Sequence, residues 1–484
     1  MKNIRFRWVF LLYAIILSVC VFATLPTMDD FSDGAAPCNN DGTWSRLLPN
    51  QYFWRPIEKL IGYGLGETPC LFPWLNFGIV LTGHFLLCLF LYKVLKKLTY
   101  DSKSIWLGIF FFFFSPGIIA TVAQVDGISS CWALVMGATA TISFFRAKFG
   151  GKYKIGYYIG YFLSAMISVL FKENGIVWFL SPIFLYITYA YANDDKKLLF
   201  LIRKELSLIG VGILGMMLYF TLRFSFMGEI ALGSPSGTYS FSLNPINVMR
   251  NYCTMLVGAW TAIDPLAFFL KPRNLILFCG SICLTLPFFT LVFSAIWQLR
   301  QNRKTLVELS CLLVCVFYIA SPFAIMGHVA EMSAYQMVFS GALFFGILFS
   351  NYRWRSWTSI VMIVFLVCMI FVSGHKLLVM RNFSHDVGFF LETSKEKFRN
   401  IPKRVFVYCV DDVSKEYSVY KQPVGYGAWD GFAFRSQWGW LNPEYFQVEY
   451  VESKDEIKFT PEDYPECDTV FILTRSGSLT VLRN

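Results

Sequence analysis

The chain has 484 residues, of which 56% are hydrophobic, 18% are aromatic and only 15% are charged. Soluble proteins carry about a quarter charged residues, so this composition excludes a soluble enzyme. The formal net charge of +10 does not indicate nucleic-acid binding, because the basic residues lie in short clusters between apolar runs, as cytoplasmic anchors of membrane proteins do.

Apolar runs recur along the chain, each close to the length needed to cross roughly 30 Å of hydrocarbon, and they predict a polytopic α-helical membrane protein with about eleven transmembrane helices. The predicted spans are residues 7–25, 74–92, 105–122, 128–145, 155–171, 174–192, 206–222, 274–297, 306–326, 333–350 and 356–374. The first span has the basic start of a signal peptide, but its length favours an uncleaved anchor.

Lysine and arginine gather in six connections that share one side of the membrane if eleven spans are right. These clusters are Lys2, Arg5 and Arg7; Lys93, Lys96, Lys97 and Lys103; Arg146, Lys148, Lys152 and Lys154; Lys196, Lys197, Arg203 and Lys204; Arg300, Arg303 and Lys304; and Arg353 and Arg355. The positive-inside rule then predicts a protein of the inner (plasma) membrane with a cytoplasmic N-terminus.

Residues 250–270 test this topology, because they are apolar enough to form a further span. Counting them would move Arg300, Arg303 and Lys304 to the outer side, against the positive-inside rule. We therefore expect this segment to be a helix that lies on the outer face or dips into it.

The predicted topology puts three stretches outside the membrane: a first loop of residues 26–73, a second excursion of residues 223–273, and the tail, residues 377–484. The first two belong to a transmembrane domain of residues 1–376. Strand-like alternation within the tail, at 404–410 and 469–484, predicts a small extracytoplasmic α/β domain.

Cysteine positions agree with this topology. In an oxidising compartment, the outer cysteines form two candidate disulfide pairs, Cys38 with Cys70 in the first loop and Cys409 with Cys467 in the tail.

Several chemical signals are missing from the sequence. It has no glycine-rich phosphate loop, no dinucleotide fingerprint and no His/Cys spacing suited to zinc, so we expect no cofactor. The carboxylates of Asp29, Asp30 and Asp33 could hold a divalent cation, but we do not predict one. The spans hold few ionisable groups, His84 being the clear exception, which disfavours an ion-coupled transporter.

Charged residues instead gather at the predicted outer ends of the spans. They are Asp29 and Asp30 after span one, Arg55 beside Trp54 in the first loop, Lys172 and Glu173 between spans five and six, Arg223 at the end of span seven, and His328 and Glu331 between spans nine and ten. Acids and bases from separate loops thus converge on one face, which predicts chemistry at the outer lipid–water boundary.

Glycosyl transfer from a lipid-linked donor needs such a set of residues. The outer compartment has no nucleotide sugars, so an activated sugar there is carried on a polyprenyl phosphate. A carboxylate must take the acceptor proton, and cations must stabilise the departing phosphate. We assign the base to Asp29 or Asp30, and phosphate binding to Lys172, Arg55 and Arg223.

Three segments resemble the GT-C superfamily of polyprenyl-phosphate-sugar-dependent glycosyltransferases, in its mannosyltransferase-like members. They are WRPIEKLIGYGLGETPCLFPWLNFGIVLTGHFLLCLFLYKVLKKL (54–98), SVLFKENGIVWFLSPIFLYI (168–187) and HVAEMSAYQMVFSGALFFGIL (328–348). The resemblance implies that Asp29 or Asp30 is the catalytic base. It matches Lys172 and Glu173 to a lysine-acid turn, and Glu331 and Tyr335 to a later motif.

Two positions depart from the family pattern. Relatives often carry an acid where this chain has Ala120, with Gln124 and Asp126 further on, and an Arg where it has Met332. Chain length and the soluble tail also resemble serotype-converting O-antigen glucosyltransferases. The resemblance thus implies an inverting transferase acting on a cell-surface glycan such as O-antigen or lipopolysaccharide.

Each candidate also has a structural explanation. Asp29 and Asp30 are also typical of the start of a solvated loop. Lys172 is typical of a residue that anchors a helix end at the membrane interface, and Arg55 of a structural ion pair with a carboxylate. His84 is more typical of a packed polar group that bonds a neighbouring helix, and Trp54 of packing or lipid contact. The alternative functions are a lipid-linked glycan transporter or flippase, and a glycan polymerase or ligase.

Overall fold

The computed structural model describes most of the chain but not all of it. The described residues are 2–27, 47–49, 54–64, 72–99, 101–150, 153–193, 197–227, 242–263, 275–327, 329, 331–350, 352–395, 404–410, 445–451, 453–458, 462, 465, 467, 469–474 and 478–483. Within them the chain is mostly helical, with one small sheet near the C-terminus.

The α-helices are numbered here in chain order. They are α1 (Lys2–Phe22), α2 (Pro56–Gly64), α3 (Pro73–Leu98), α4 (Ser102–Phe114), α5 (Ile119–Val122), α6 (Gly127–Lys148), α7 (Lys154–Phe171), α8 (Ser181–Asn193), α9 (Leu198–Met227), α10 (Pro245–Trp260), α11 (Leu275–Leu299), α12 (Arg303–Ala324), α13 (Ala334–Ser350) and α14 (Ser356–Lys395). Short 3₁₀ stretches, Pro116–Ile118, Glu173–Phe179 and Glu331–Ser333, precede α5, α8 and α13.

Membrane-crossing helices dominate this architecture. Among the described residues, eight helices are long and apolar enough to cross a bilayer, and the pair α4 and Pro116–Val122, bent by 51°, would make a ninth. Two shorter apolar helices, Thr285–Leu299 within α11 and α13, occupy the remaining predicted spans. The chain is therefore a polytopic helical membrane protein, while the count of eleven spans stays a prediction.

The bend after α4 has a local cause. Asp101 caps the start of α4 by accepting from the backbone amides of Lys103 and Ser104, and Pro116 follows the end of the helix. A proline lacks the N–H that would continue an α-helix, so the chain turns there and Ser115 caps the next 3₁₀ turn. The bend brings Gly117 within van der Waals distance of the backbone of α10 at Gly258.

The phenylalanine run 110–114 lies in the bundle core, where all five rings are buried. Phe113 packs against Phe10 of α1 at a centroid distance of 4.5 Å, and Phe111 packs against Phe345 of α13 at 4.6 Å. The run therefore packs inside the bundle.

Helix α10, Pro245–Trp260, covers the first half of residues 250–270, for which we expected a helix at the outer face, and residues 264–270 lie outside the described part of the chain. Asn251 donates through its side chain to the carbonyls of Ala324 and Met326, which follow or end α12 and would otherwise lack a helical partner. The side chain of Trp260 packs against Gly341 and Phe344 of α13. The helix thus links the end of α12 and the middle of α13 to the bend after α4.

Helix α14 continues well past residue 374, where the apolar pattern predicted its end. It reaches Lys395 and contacts the chain that follows α1, since the Ser384 hydroxyl accepts from the backbone amide of Leu25 at 3.0 Å. The expected boundary between residues 376 and 377 therefore falls inside a helix. Contacts with α1 extend the helix beyond its apolar stretch.

The described part of the tail forms a four-stranded sheet. Its strands are β1 (Arg404–Val410), β2 (Tyr445–Val451), β3 (Thr469–Thr474) and β4 (Leu479–Arg483). Their order is β2-β1-β3-β4, with β1 parallel to β2 and β3, and β4 antiparallel to β3. The predicted strand at 404–410 is confirmed as β1, and the strand-like alternation at 469–484 corresponds to the antiparallel strands β3 and β4.

The strand register separates the two tail cysteines. Thr469 pairs with Val405, and Cys409 lies four residues, about 13 Å, further along β1. Cys467 precedes Thr469, so the two thiols lie toward opposite ends of the strands and the predicted disulfide between them is not formed. Cys467 instead packs in the apolar core of the sheet. Cys38 and Cys70 lie outside the described residues.

Candidate functional site

Charged side chains from four separated parts of the chain meet at one end of the helix bundle, here called the loop end. This ionic cluster comprises Arg55, Glu58, Asp126, Lys172, Glu173 and Arg223. The basic connections Lys93–Lys97 and Arg146–Lys148 lie at the other end of α3 and α6, here called the basic end. The cluster therefore stands apart from the topological anchors.

Glu173 is the acceptor on which the cluster is built. Arg55 donates from Nε to Glu173 Oε2 at 2.8 Å, and the backbone amide of Trp54 donates to Oε1 at 3.0 Å. Both oxygens of the carboxylate are thus engaged by the same dipeptide of the first loop. Pro56 follows at the first position of α2, where the missing N–H costs nothing, so the loop enters the helix directly after these contacts.

The turn between α7 and α8 directs Lys172 and Glu173. Lys172 is extended, with φ −156° and ψ 139°, and its carbonyl accepts from the amide of Gly175 at 2.8 Å. A Cβ on Gly175 would lie 2.4 Å from the backbone carbonyl of Ser168, so only glycine lets this turn close against the last turn of α7. This short turn thereby places the Lys172 ammonium beside Ser130 and the Glu173 carboxylate beside Arg55.

Helix α9 closes the cluster on a third side. The Tyr219 ring stacks on Trp54, with centroids 5.5 Å apart and planes 18° from parallel. Arg223, one helical turn further on, is buried and interacts electrostatically with Glu173. Trp54 therefore packs against the protein, as the structural explanation of this residue predicted, and it holds the first loop against α9.

Glu58 is the acid that the two arginines do not neutralise fully. It lies one turn after Arg55, at 3.5 Å from Nη1, while the shorter bond of Arg55 goes to Glu173. Burial raises the pKa of the Glu58 carboxyl to about 7, Arg55 opposes this rise, and Asp126 adds to it. Glu58 is therefore a carboxyl that gains or loses its proton near neutral pH.

Lys172 has a different environment from the two arginines. Its ammonium donates to the Ser130 hydroxyl of α6 at 2.7 Å. Among the residues that the structure describes, no carboxylate lies within 4 Å of Lys172 Nζ. A partly buried cation with a neutral partner retains its capacity to bind an anion.

Three predicted site residues lie outside the described part of the chain: Asp29, Asp30 and His328. Glu331 begins the 3₁₀ turn before α13, and its side chain also lies outside that part. Their expected roles stay predictions. Thr27 is the last described residue before Asp29 and Asp30.

Tyr335 does not belong to the ionic cluster. It is fully buried, and its hydroxyl bonds His84 Nδ1 of α3 at 2.9 Å and contacts Cys131 Sγ of α6 at 3.5 Å. Because no side-chain surface is exposed, a direct substrate contact is not available, and a supporting role remains. His84 is the packed polar group that we expected, bonded across helices.

Glu58, Asp126, Ser130 and Tyr219 are members of the site that the sequence analysis did not single out. Glu58 follows Arg55 by three residues and Tyr219 precedes Arg223 by four, which are helical neighbour spacings and gave an available signal. Asp126 lies close enough to Arg55 and Glu58 to affect both, so an acid is present near the bend although Ala120 departs from the family pattern. Ser130 carries no such signal, because only the packing of α6 against α7 brings it to Lys172.

The cluster combines a cation suited to an anion with a carboxyl whose pKa is raised by burial. Among the described residues, no group of three or more His, Cys, Asp or Glu side chains is arranged to hold a metal ion. Lys172 offers an ammonium that has no carboxylate within 4 Å among the described residues, although it interacts electrostatically with Glu58. The Arg55–Glu173 pair fixes the loop beside it, and Glu58 supplies a buried carboxyl with a raised pKa. Comparison of the chain with protein-family models, with curated proteins and with solved structures finds no match.

Proposed function

We propose that this protein is a membrane glycosyltransferase that moves a sugar, with inversion, from a polyprenyl-phosphate donor to an extracytoplasmic acceptor, a cell-surface glycan such as O-antigen or lipopolysaccharide. The observation that carries the proposal is the environment of Lys172, a partly buried ammonium at the loop end bonded to a hydroxyl. Such a cation is suited to the negative charge that develops on a departing lipid phosphate.

The arginines support this site in a different way from Lys172. Arg55 already gives its Nε–H to Glu173, so its main contribution is to hold the first loop and the Lys172–Glu173 turn in one geometry. Arg223 is buried beside the same carboxylate. In the proposed mechanism Lys172 binds the donor phosphate, while Arg55 and Arg223 keep the turn in position and add positive potential.

The proposed base is Asp29 or Asp30, which takes the proton of the acceptor hydroxyl as the new glycosidic bond forms. The anomeric carbon passes through an oxocarbenium-like state, and the bond to the phosphate oxygen breaks. The polyprenyl phosphate is the leaving group, and the Lys172 ammonium stabilises its negative charge. The apolar helices are suited to the same bilayer that holds the polyprenyl tail.

The test is a transfer assay with purified protein in liposomes that contain a radiolabelled polyprenyl-phosphate hexose and a lipopolysaccharide acceptor. We expect Lys172→Met to lower kcat/KM by about 10²-fold to 10³-fold, the range for loss of one group that stabilises a developing oxyanion. Asp29→Asn or Asp30→Asn should lower kcat to a similar or greater extent. Lys103→Met, at the basic end, is the matched control and should retain wild-type rates.

Two outcomes would contradict the proposal. One is wild-type turnover in Lys172→Met together with wild-type turnover in both aspartate variants. The other is movement of intact lipid-linked glycan across the liposome membrane with no sugar leaving the lipid, which would instead support a transporter.

A further inference from the structure

A cavity of about 450 Å³ opens at the basic end of the bundle, between α3, α6, α8, α12 and α13. Its volume falls within the roughly 300–1,000 Å³ that is typical of sites for small ligands. None of the described residues of the ionic cluster lines it. The cavity is therefore distinct from the proposed transfer site.

The interior of this cavity is apolar. Aromatic and aliphatic side chains such as Phe90, Trp178 and Leu343 form its walls. Its serine and threonine hydroxyls, those of Thr141, Thr188 and Ser340, each donate to a carbonyl one turn earlier in their own helix, at 2.9–3.0 Å. Tyr189 is the remaining hydroxyl-bearing residue of the lining. Because the serine and threonine hydroxyl groups already donate to backbone carbonyls, they offer few hydrogen bonds to water inside the cavity. A cavity of this kind accepts apolar ligands.

The rim of the cavity is positively charged. The basic lining residues are Lys93, Lys96, Lys97 and Arg146, and Glu308 is the acidic one. In the described part of the chain, no carboxylate comes within 4 Å of any of these four cations, whereas neighbouring Lys148 is paired with Glu205 and does not line the cavity. With four cations and one carboxylate, the lining of the cavity therefore carries a net positive charge.

Aromatic rings hold these cations at the rim. Lys97 Nζ lies 5.5 Å from the ring centroid of Phe149, and the Arg146 guanidinium lies 5.8 Å from that of Tyr157. Cation–π contacts of this kind orient a charged head without neutralising it. An anionic group at the mouth would thus meet cations that are already positioned.

We propose that this cavity binds one anionic phospholipid of the adjoining leaflet, with an acyl chain in the apolar interior and the phosphate against Lys96, Lys97 and Arg146. The interior selects a hydrocarbon chain over any water-soluble phosphate. The rim selects an anionic headgroup over a zwitterionic one. The site is independent of the proposed glycosyl transfer.

Native mass spectrometry of the purified full chain tests this proposal. The probes are phosphatidylglycerol, phosphatidylcholine and glycerol 3-phosphate. We expect one phosphatidylglycerol to bind, with an affinity that falls on the order of 100-fold in K96Q/K97Q/R146Q, since each basic residue near a membrane surface contributes about a factor of five. The matched control R300Q/R303Q/R353Q removes the same charge from the same end without touching the cavity lining and should bind as the wild type does.

A second variant tests the interior separately. Ala138→Leu adds side-chain volume inside the cavity and should weaken phosphatidylglycerol binding without altering any charge. If this variant does not fold, the two triple variants, which change rim and surface positions, still decide the question. Equal binding of phosphatidylglycerol and phosphatidylcholine, equal loss in both triple variants, or competition by glycerol 3-phosphate at lipid concentrations would each overturn the proposal.

Discussion

Arg55 stands between two carboxylates, and its geometry decides which of them remains charged. Its Nε–H bond to Glu173 is 2.8 Å long, whereas its distance to Glu58 is 3.5 Å. The Arg55 charge is thereby shared unequally, and Glu58 is left as a buried acid with incomplete compensation. Both residue-scale predictions follow from this asymmetry.

The Arg55–Glu173 pair is expected to be strongly coupled. Arg55→Met alone leaves the Glu173 carboxylate without its main counterion and should lower the free energy of unfolding by about 3–5 kcal/mol, whereas Arg55→Met with Glu173→Leu should recover most of that loss. Thermal unfolding of both single variants and the double variant in detergent completes the double-mutant cycle. Additive effects of the two substitutions would contradict direct coupling.

Glu58 should make stability depend on pH near neutrality. Its pKa is about 7 in the folded protein against 4.5 in the unfolded chain, so its ionisation opposes folding. The contribution of protonated Glu58 to the free energy of unfolding is fully present below pH 4.5 and is lost as the pH rises through 7. The free energy of unfolding of Glu58→Gln should therefore exceed that of the wild type by about 3 kcal/mol at pH 8 and by little at pH 4.5.

Unfolding midpoints of the wild type and Glu58→Gln at several pH values measure this difference. Glu392→Gln on α14, an exposed position, is the control and should show no pH-dependent difference from the wild type. A difference for Glu58→Gln that stays constant from pH 5 to pH 8 would show that Glu58 is not the titrating group.

At the scale of elements, the site depends on one turn that must be very tight. The α7–α8 turn places Lys172 beside α6 and Glu173 beside the first loop, and it can do so because Gly175 packs directly on the backbone of Ser168. Sequence spacing predicts that such a turn exists, since spans five and six are nearly contiguous. Only the packing of α6 and α7 determines the partner of each charge.

Gly175→Ala should disturb this turn. Its Cβ would lie 2.4 Å from the Ser168 carbonyl, and backbone atoms cannot move aside as a flexible side chain can, so we expect a loss of about 1–3 kcal/mol in the free energy of unfolding. Gly160→Ala on α7 is the matched control, because its Cβ would meet only the Ser143 side chain, with Oγ at 3.6 Å and Cβ at 3.9 Å. Equal stability of the two variants would contradict a close-packed turn.

At the scale of the whole molecule, apolar helices dominate and the two bundle ends differ in character. The basic end carries cations on connections between helices, and the loop end carries the ionic cluster and α10. The positive-inside rule then predicts opposite compartments for the connection at Lys103 and for the C-terminal tail. This topology requires an odd number of membrane spans, because the N-terminus and the C-terminal tail lie on opposite sides.

Protease accessibility tests the predicted topology. An epitope tag at the C-terminus should be removed by protease added to intact spheroplasts, and a tag inserted beside Lys103 should be removed only after the membrane is permeabilised. Western blots of the two tagged proteins measure the outcome. Removal of both tags, or of neither, from intact spheroplasts would refute the predicted orientation and require an even number of spans.

The sequence by itself determined the membrane character of this protein and the approximate positions of its long apolar helices. Runs of apolar residues report directly on burial in hydrocarbon, because a span needs nothing from the rest of the chain to satisfy its backbone. The strand at 404–410 was equally predictable from its alternation and matches β1. The end of α14 was not, because contacts with the chain after α1 extend that helix beyond its apolar stretch.

The tertiary structure decided which charges meet. Arg55 and Glu173 are separated by more than a hundred residues, and so are His84 and Tyr335, yet each pair is bonded. Composition and spacing predict that charged residues gather at one face, but a distance between two helices is set by how their side chains interlock. That interlocking pairs Arg55 with Glu173, leaves Lys172 with a hydroxyl, and opens the cavity at the basic end, because packing acts between segments that the linear sequence keeps far apart.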